Sequence, residues 1–173
     1  VAIELLSLPV YALVLLGGPR RGAAEAALKY LVLGGTATAT LLMGTALLYG
    51  WHGSLSIAGF ATALASPEPR ALAGVVLVVA ALYLKAAIVP LHAWAPDAYD
   101  GASLPVTAYM AAVVKAAVLL AVLRLFGDAM ADPALVPVLA ALPLASMAWG
   151  NLAAIRQTGF RRTLAYSSIT HAG

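Results

Sequence analysis

The sequence predicts an all-α fold, a polytopic bundle of transmembrane helices. Of its 173 residues, 63% are hydrophobic and 10% are charged, whereas a soluble domain is typically about 45–50% apolar and about 25% charged. The mean hydropathy is +0.95, and several uncharged runs exceed the roughly 18 residues that indicate a spanning helix. The alternating segments of about ten residues that mark a membrane β-barrel do not occur in the sequence. We therefore expect a single transmembrane domain over residues 1–173.

Apolar runs separated by polar loops divide the chain into five spans and the start of a sixth. The predicted spans are about 1–16, 26–50, 71–95, 104–126, 133–154 and, for the sixth, 162–173. The first run looks like the remainder of a longer helix, and the last run stops soon after it begins. We interpret the chain as a fragment of a longer subunit, incomplete at both ends.

Local signals place the boundaries of the middle spans. Small residues at 34–40 let the second span pack closely against a neighbouring helix. Residues 51–70 are expected to form a polar loop. The third span is interrupted at Pro90, which cannot donate to the helical hydrogen-bond ladder. A polar corner at 96–103 follows, and Ser103 at its end is a suitable N-cap for the fourth span.

The charge distribution predicts how the bundle lies in the membrane. Basic residues concentrate in the loops after the first and fifth spans: Arg20, Arg21, Arg156, Arg161 and Arg162. By the positive-inside rule these loops are cytoplasmic, and the corner at 96–103 lies on the same side. Orientation then explains the net charge of +3, and no nucleic-acid partner is expected. The absence of cysteine excludes disulfides and thiolate metal sites within the chain.

Two lysines lie deep inside apolar runs. Lys85 comes fourteen positions after Ala71, and Lys115 comes ten positions after Pro105. A rise of about 1.5 Å per residue puts them roughly 20 and 15 Å into a hydrocarbon core about 30 Å thick. Charged side chains at such depth usually face the protein interior or a water-filled path, because exposure to lipid costs several kcal/mol. Two of them on neighbouring spans predict a route for charge.

Glu4 in the first span is the expected counter-charge of Lys85. A buried carboxylate beside a buried ammonium stabilises both charged forms, while burial alone favours the neutral forms. A lysine balanced between these effects can gain or lose a proton when its partner moves. The alternative is a permanent ion pair that only holds two helices together.

Two histidines are further candidates for proton transfer. His92 follows the break at Pro90, and broken helices in transporters line ion pathways. Its imidazole can relay protons because histidine titrates close to neutral pH; an ordinary hydrogen-bonded histidine is the alternative. His171, a secondary candidate, follows the hydroxyl-rich segment 167–170, which can support a water chain.

The sequence carries no signature of a bound cofactor. GGPRRG at 17–22 lacks the lysine and hydroxyl residue of a phosphate loop. Three scattered histidines do not have the spacing of metal ligands. Aromatic residues near the membrane interface leave a quinone site open, without a motif that indicates one. We expect no metal and no cofactor in this chain.

Several long motifs together resemble one known family. The motifs IELLSLPVY at 3–11, LKAAIVPLHAWAPDAYDGA at 84–102, VVKAAVLLAVLRLF at 113–126 and GNLAAIRQTGFRRTLAYSSITHAG at 150–173 are similar to the antiporter-like subunits of respiratory complex I, the proton-translocating NADH–quinone oxidoreductase. Within that family, PLHAWAPDAY and the lysine of the fourth span favour the N branch over branches L and M. The corner reads GASLPV, whereas the family usually has GAPTPV or GAPAPV.

The resemblance implies a subunit of about fourteen helices with inverted repeats, of which this chain covers the fifth to the start of the tenth. It implies a proton path that uses Glu4 and Lys85 as a pair, then His92 and the connecting Lys115. The implied partners are other membrane subunits of complex I, the lipid bilayer of the cell inner membrane, and protons. NADH, flavin, iron–sulfur clusters and quinone are expected to bind partner subunits.

Two other functions stay open at the level of sequence. A cation/proton antiporter or a membrane-bound hydrogenase has subunits of the same architecture, and neighbouring genes would distinguish these from complex I. A structural membrane scaffold, whose charges only fix helices, is the second alternative. It predicts that Lys115→Met is tolerated or stabilising, because apolar groups often replace buried ions without loss of stability.

Overall fold

The computed structural model describes residues 2–16, 22–127 and 136–173, with side chains from Leu5 onward except that of Val138. These ranges are helical and contain no strand. The helices are α1 Ala2–Leu16, α2 Ala23–His52, α3 Ile57–Leu64, α4 Pro69–Ala86, α5 Trp94–Gly101, α6 Leu104–Tyr109, a π-helical turn Met110–Val114, α7 Lys115–Phe126, α8 Val136–Ile155 and α9 Phe160–Ala172. The predicted basic residues Arg20 and Arg21 lie outside the described residues.

Within the described ranges, three helical segments are long and apolar enough to cross a membrane: Ala23–His52, Pro69–Ala86 and Leu104–Phe126. Two shorter apolar helices, Leu5–Leu16 and Leu139–Ile155, accompany them. Large apolar side chains such as Leu120 and Ile155 are exposed on the outside of the bundle. Exposed leucine and isoleucine on this scale fit a lipid-facing surface. The predicted all-α transmembrane bundle is confirmed.

Glycines allow α2 and α4 to pack in close contact. A Cβ atom on Gly44 would lie 2.9 Å from both Gly74 O and Val78 N. Because both neighbours are backbone atoms, no rotamer change can make room for a side chain. Small residues at helix crossings are common in membrane bundles, where close backbone approach supplies the packing energy.

Gly44→Val is therefore expected to destabilise the full-length subunit by roughly 1–3 kcal/mol, since the two helices must separate. Gly35→Val is the matched control, because nothing lies within 4 Å of a Cβ on Gly35 in the same helix. Thermal unfolding in detergent, followed by tryptophan fluorescence, measures the difference. Equal melting temperatures for the two variants would contradict this account of the crossing.

The third predicted span ends earlier than the sequence indicates. The span was expected to reach residue 95 with a break at Pro90, but α4 ends at Ala86. Ala87 adopts a left-handed conformation with φ of 61°, and its N–H group is bonded to the carbonyls of Leu84 and Tyr83. This C-terminal capping arrangement ends the helix before the proline is reached. The non-helical segment 87–93 contains the break predicted at Pro90, and it begins three residues before that proline.

Two segments predicted as loops contain helices. Within 51–70 the structure has α3, whose first turn is capped by Ser56 Oγ accepting from the Gly59 N–H group at 3.1 Å. Within 96–103 it has most of α5, which buries Trp94 and Tyr99 between α2 and α9. Both segments are helical because one face of each packs against neighbouring helices. The amino-acid composition of a short segment does not indicate such packing.

Candidate functional site

Lys85 lies in the last turn of α4, with only 6% of its surface exposed. Its ammonium donates a hydrogen bond to Ser7 Oγ at 2.9 Å, and Ser7 is itself buried in α1. Glu4 lies one turn before Ser7 in the same helix. The Glu4 side chain is outside the described part of the structure, so the pairing of Glu4 with Lys85 stays a prediction. The described contact nevertheless fixes Lys85 against the helix that carries Glu4.

Lys115 is the first residue of α7 and is also 6% exposed. It directly follows the π-helical turn Met110–Val114, and such turns are rare and often occur at functional sites. Its ammonium donates to the backbone carbonyl of Ser168 in α9. A helical carbonyl is a neutral acceptor, so this contact orients the lysine without supplying a counter-charge.

His92 lies in the break between α4 and α5. Its ring contacts Tyr166 of α9 edge-on, with centroids 6.4 Å apart. Its Nδ1 atom is buried and has no hydrogen-bond partner among the described residues. Buried polar atoms are normally satisfied by protein or water, and a role of His92 in proton transfer stays a prediction. Helix α9 therefore contacts both His92 and Lys115, through Tyr166 and Ser168.

Charged residues gather at one end of the bundle. Lys29 Nζ lies 2.6 Å from Asp97 Oδ2 and 2.7 Å from Glu25 Oε1, and Arg162 is paired with Asp97 and lies 3.6 Å from Asp100. We refer to these five residues as the charged cluster. It lines an open cleft of about 760 Å³. The cluster brings together the starts of α2 and α9 and the helix α5, so the predicted acidic corner and basic loop lie on the same side.

Asp97 is the centre of the charged cluster. Partial burial acts to raise the pKa of its carboxyl, but the hydrogen bond from Lys29 and the charges of Lys29 and Arg162 outweigh that effect. The pKa of Asp97 is therefore lowered. Since α5 lies outside the candidate membrane spans, Asp97 stays ionised at neutral pH and holds α2 and α9 together from α5.

Comparison with known proteins identifies the family. All residues 1–173 match the family model described as NADH:quinone oxidoreductase/Mrp antiporter, transmembrane. The chain belongs to this family. The resemblance found in the sequence motifs is thus confirmed.

Relatives within the family include subunit N of NADH-quinone oxidoreductase from Pelobacter propionicus, 48% identical over 171 residues, and its counterpart from Rubrobacter xylanophilus, 40% identical over 175 residues. Each match covers 99% of this chain but only 37% and 36% of the relative. The chain thus spans little more than a third of the relatives' length.

Chains in several solved membrane complexes have a similar helix arrangement. A chain of respiratory complex I from Thermus thermophilus with bound aureothin superposes with a TM-score of 0.81 at 44% identity, covering 99% of this chain and 37% of that one. A chain of the Mrp complex from Dietzia gives 0.82 at 27% identity, covering 98% and 32%. A chain of the archaeal membrane-bound sulfane sulfur reductase gives 0.81 at 35% identity, covering 98% and 36%.

Reasoning from the sequence missed Ser146, a buried side chain that contacts the break. Ser146 of α8 donates to the Ile169 carbonyl at 3.1 Å and accepts from the Val89 N–H group at 3.4 Å. It therefore ties the segment 87–93 to α9. The only signal in the sequence was a lone serine in an apolar run, as it was for Ser7.

His171 has a different environment from the other candidates. Its side chain is exposed, while the neighbouring Ala172 is buried. In the described part of the bundle it lies at the surface, and its secondary role in proton transfer stays a prediction. The hydroxyl of nearby Thr170 donates to the Tyr166 carbonyl within α9.

Proposed function

We propose that this chain is part of the proton-translocating membrane subunit of an NADH–quinone oxidoreductase, which moves protons at mid-membrane while partner subunits reduce quinone. One observation carries the proposal: two buried lysines, Lys85 and Lys115, each hydrogen-bond to an oxygen atom on a different helix. The acceptors in these two described contacts are neutral, so a neutral lysine amine can keep them. The 48% identity to a subunit N supports the choice of complex.

In the proposed step, a proton reaches Lys85 when Glu4 pairs with it or separates from it. It then passes through water and His92 to Lys115. The break 87–93 supports this order, because it places His92 between α4 and the helix α9 that contacts Lys115. Backbone groups freed by such breaks are satisfied by protein or by water, and water is the medium that carries protons between fixed groups.

The proposal includes the surroundings of the subunit. Its partners are the other membrane subunits of complex I and the lipid bilayer, and it lies in the cell inner membrane as a multi-pass protein. Glu4, Lys85, Lys115 and His92 transfer protons only, with His171 as a secondary candidate. NADH, flavin, iron–sulfur clusters and quinone belong to the partner subunits.

A subunit of a cation/proton antiporter, or of a membrane-bound hydrogenase, is the second candidate. The Mrp chain and the complex I chain superpose on this chain with similar TM-scores, which supports this second candidate. The higher sequence identity to the complex I chain, 44% against 27%, supports the first proposal.

Purification of the tagged full-length subunit from native membranes tests the choice. We expect it to bring along redox subunits that oxidise NADH, reduce quinone and pump protons after reconstitution into liposomes. Cation/proton exchange in a preparation without NADH oxidation would support the antiporter and reject the first proposal. An unrelated membrane subunit carrying the same tag is the control for non-specific association.

A further inference from the structure

We propose that Tyr11, Tyr30 and Trp94, here called the aromatic cluster, form a barrier that controls the access of water and protons from the charged cleft to Lys85. Its role in turnover rests on the proposed function, whereas the barrier itself follows from the packing of three helices. The cluster separates two polar regions of the bundle, and its rings leave little exposed surface.

The three rings pack in one continuous layer. Tyr30 of α2 stacks on Trp94 of α5 with centroids 4.8 Å apart and planes 20° apart. Tyr11 of α1 meets Tyr30 edge-on at 4.6 Å. Their exposed fractions are 6%, 3% and 4% for Tyr11, Tyr30 and Trp94. Rings packed in this way fill the space among the three helices that carry them.

The order of residues along each helix places this layer between the cleft and Lys85. In α2, Tyr30 directly follows Lys29 of the charged cluster, and in α5, Trp94 comes one turn before Asp97. In α1, Tyr11 comes one turn after Ser7, the residue that accepts the hydrogen bond of Lys85. Residues three or four apart share one helix face, so α1 and α5 each carry a polar group on the same face as the ring, and in α2 the polar Lys29 is the chain neighbour of the ring.

Two further contacts hold the aromatic cluster in place, one of them beside Lys85. Trp94 Nε1 donates to the carbonyl of Leu84, the residue before Lys85, at 2.8 Å. Tyr11 lies against Gly34, where a Cβ atom would be only 2.1 Å from the Tyr11 hydroxyl oxygen. The ring of Tyr11 therefore occupies space that α2 leaves open for it. Displacement of α5 relative to α2 would separate the stacked rings and pull on the end of α4 at once.

The physical effect of the layer is the exclusion of water. Proton transfer over several ångströms needs a chain of water or titratable groups, and apolar constrictions interrupt such chains by drying. Without the layer, the open cleft would connect Lys85 to the aqueous phase at all times. A lysine in permanent contact with one side of the membrane cannot hold a proton for controlled release.

Cysteine accessibility tests the barrier directly, since the chain contains no cysteine of its own. Ser7→Cys is introduced into the full-length subunit within the assembled complex, in vesicles that expose the charged cleft to the medium. A charged, water-soluble methanethiosulfonate reagent is added, and modification at position 7 is followed by peptide mass spectrometry. The nearby Lys85 ammonium favours the reactive thiolate form of the new cysteine.

We expect slow modification with Trp94 present and modification at least about tenfold faster when Trp94→Ala is combined with Ser7→Cys, because the opened layer admits water. Trp94→Phe keeps an aromatic ring and should stay slow. Trp149→Ala, which removes an exposed tryptophan of α8, is the matched control and should also stay slow. Glu25→Cys in the cleft should react rapidly in every background.

Rapid modification of Ser7→Cys with Trp94 intact, or no acceleration by Trp94→Ala, would overturn the barrier. If the Trp94→Ala complex does not assemble, Tyr30→Ala is used instead. It removes the ring that stacks on Trp94, and the same faster modification of Ser7→Cys is expected. Labelling does not depend on pumping. A failed barrier therefore leaves the proposed function standing, and a subunit without pumping activity can still show the barrier.

Discussion

Complexes that carry Lys85→Met in the full-length subunit are expected to lose proton pumping and to retain less than about a tenth of coupled quinone reduction, since a proton-transfer group has been removed. Lys85 is buried, and its ammonium contacts Ser7 Oγ at 2.9 Å. Methionine fills the same unbranched volume without an exchangeable proton. NADH-driven fluorescence quenching in membrane vesicles, normalised to assembled complex, measures the loss.

Arg70→Met is the matched control for Lys85→Met. Arg70 is an exposed cation in the first turn of the same helix, α4. Its replacement should leave pumping close to that of the unsubstituted complex, because side chains near helix ends reach water without entering the path. Near-normal pumping and quinone reduction by Lys85→Met would contradict the role of Lys85.

Lys115→Met is expected to have an effect of similar size on quinone reduction. The lysine is buried beside the π-helical turn, and its described hydrogen bond is to the Ser168 carbonyl of α9. Since that acceptor is neutral, removal of the lysine leaves no buried carboxylate unpaired at this contact. We therefore expect the melting temperature to stay unchanged or to rise, as buried ions are often replaced by apolar groups without loss. Turnover assays and thermal unfolding of the same preparation check both expectations.

Turnover and melting temperature, measured on the same Lys115→Met preparation, distinguish proton transfer from a purely structural role. A scaffold that uses Lys115 to fix helices predicts normal turnover after substitution by methionine, whatever the melting temperature. A proton carrier predicts lost turnover in a complex that is fully assembled and equally stable. Stability alone therefore does not decide between the two functions, whereas turnover at matched assembly does.

Much of the fold was predictable from composition and spacing. Long apolar runs left little choice other than spanning helices, and a lysine in the middle of such a run is conspicuous, as for Lys85 and Lys115. Proline at position 90 indicated the break. Its exact start was not predictable, because Ala87 ends α4 by adopting a left-handed conformation that its sequence does not favour.

The pairings in the site were less accessible to sequence reasoning. Asp97 binds Lys29 across 68 positions, and Lys115 binds Ser168 across 53. Such distances along the chain carry no local pattern, and only the packing of α5 and α9 brings the groups together. The π-helical turn before Lys115 was missed for a related reason: its residues, Met110–Val114, are equally compatible with an ordinary α-helix.

The most direct test of the account is the rate of NADH-driven proton uptake per assembled complex in liposomes, with Lys115→Met compared with Arg124→Met. Arg124 is an exposed cation near the end of the same helix, α7. We predict that Arg124→Met keeps the proton uptake of the unsubstituted complex and that Lys115→Met falls to less than about a tenth of it. Equal uptake by the two variants, in equally assembled complexes, would show that Lys115 is not a proton carrier and would contradict the central claim.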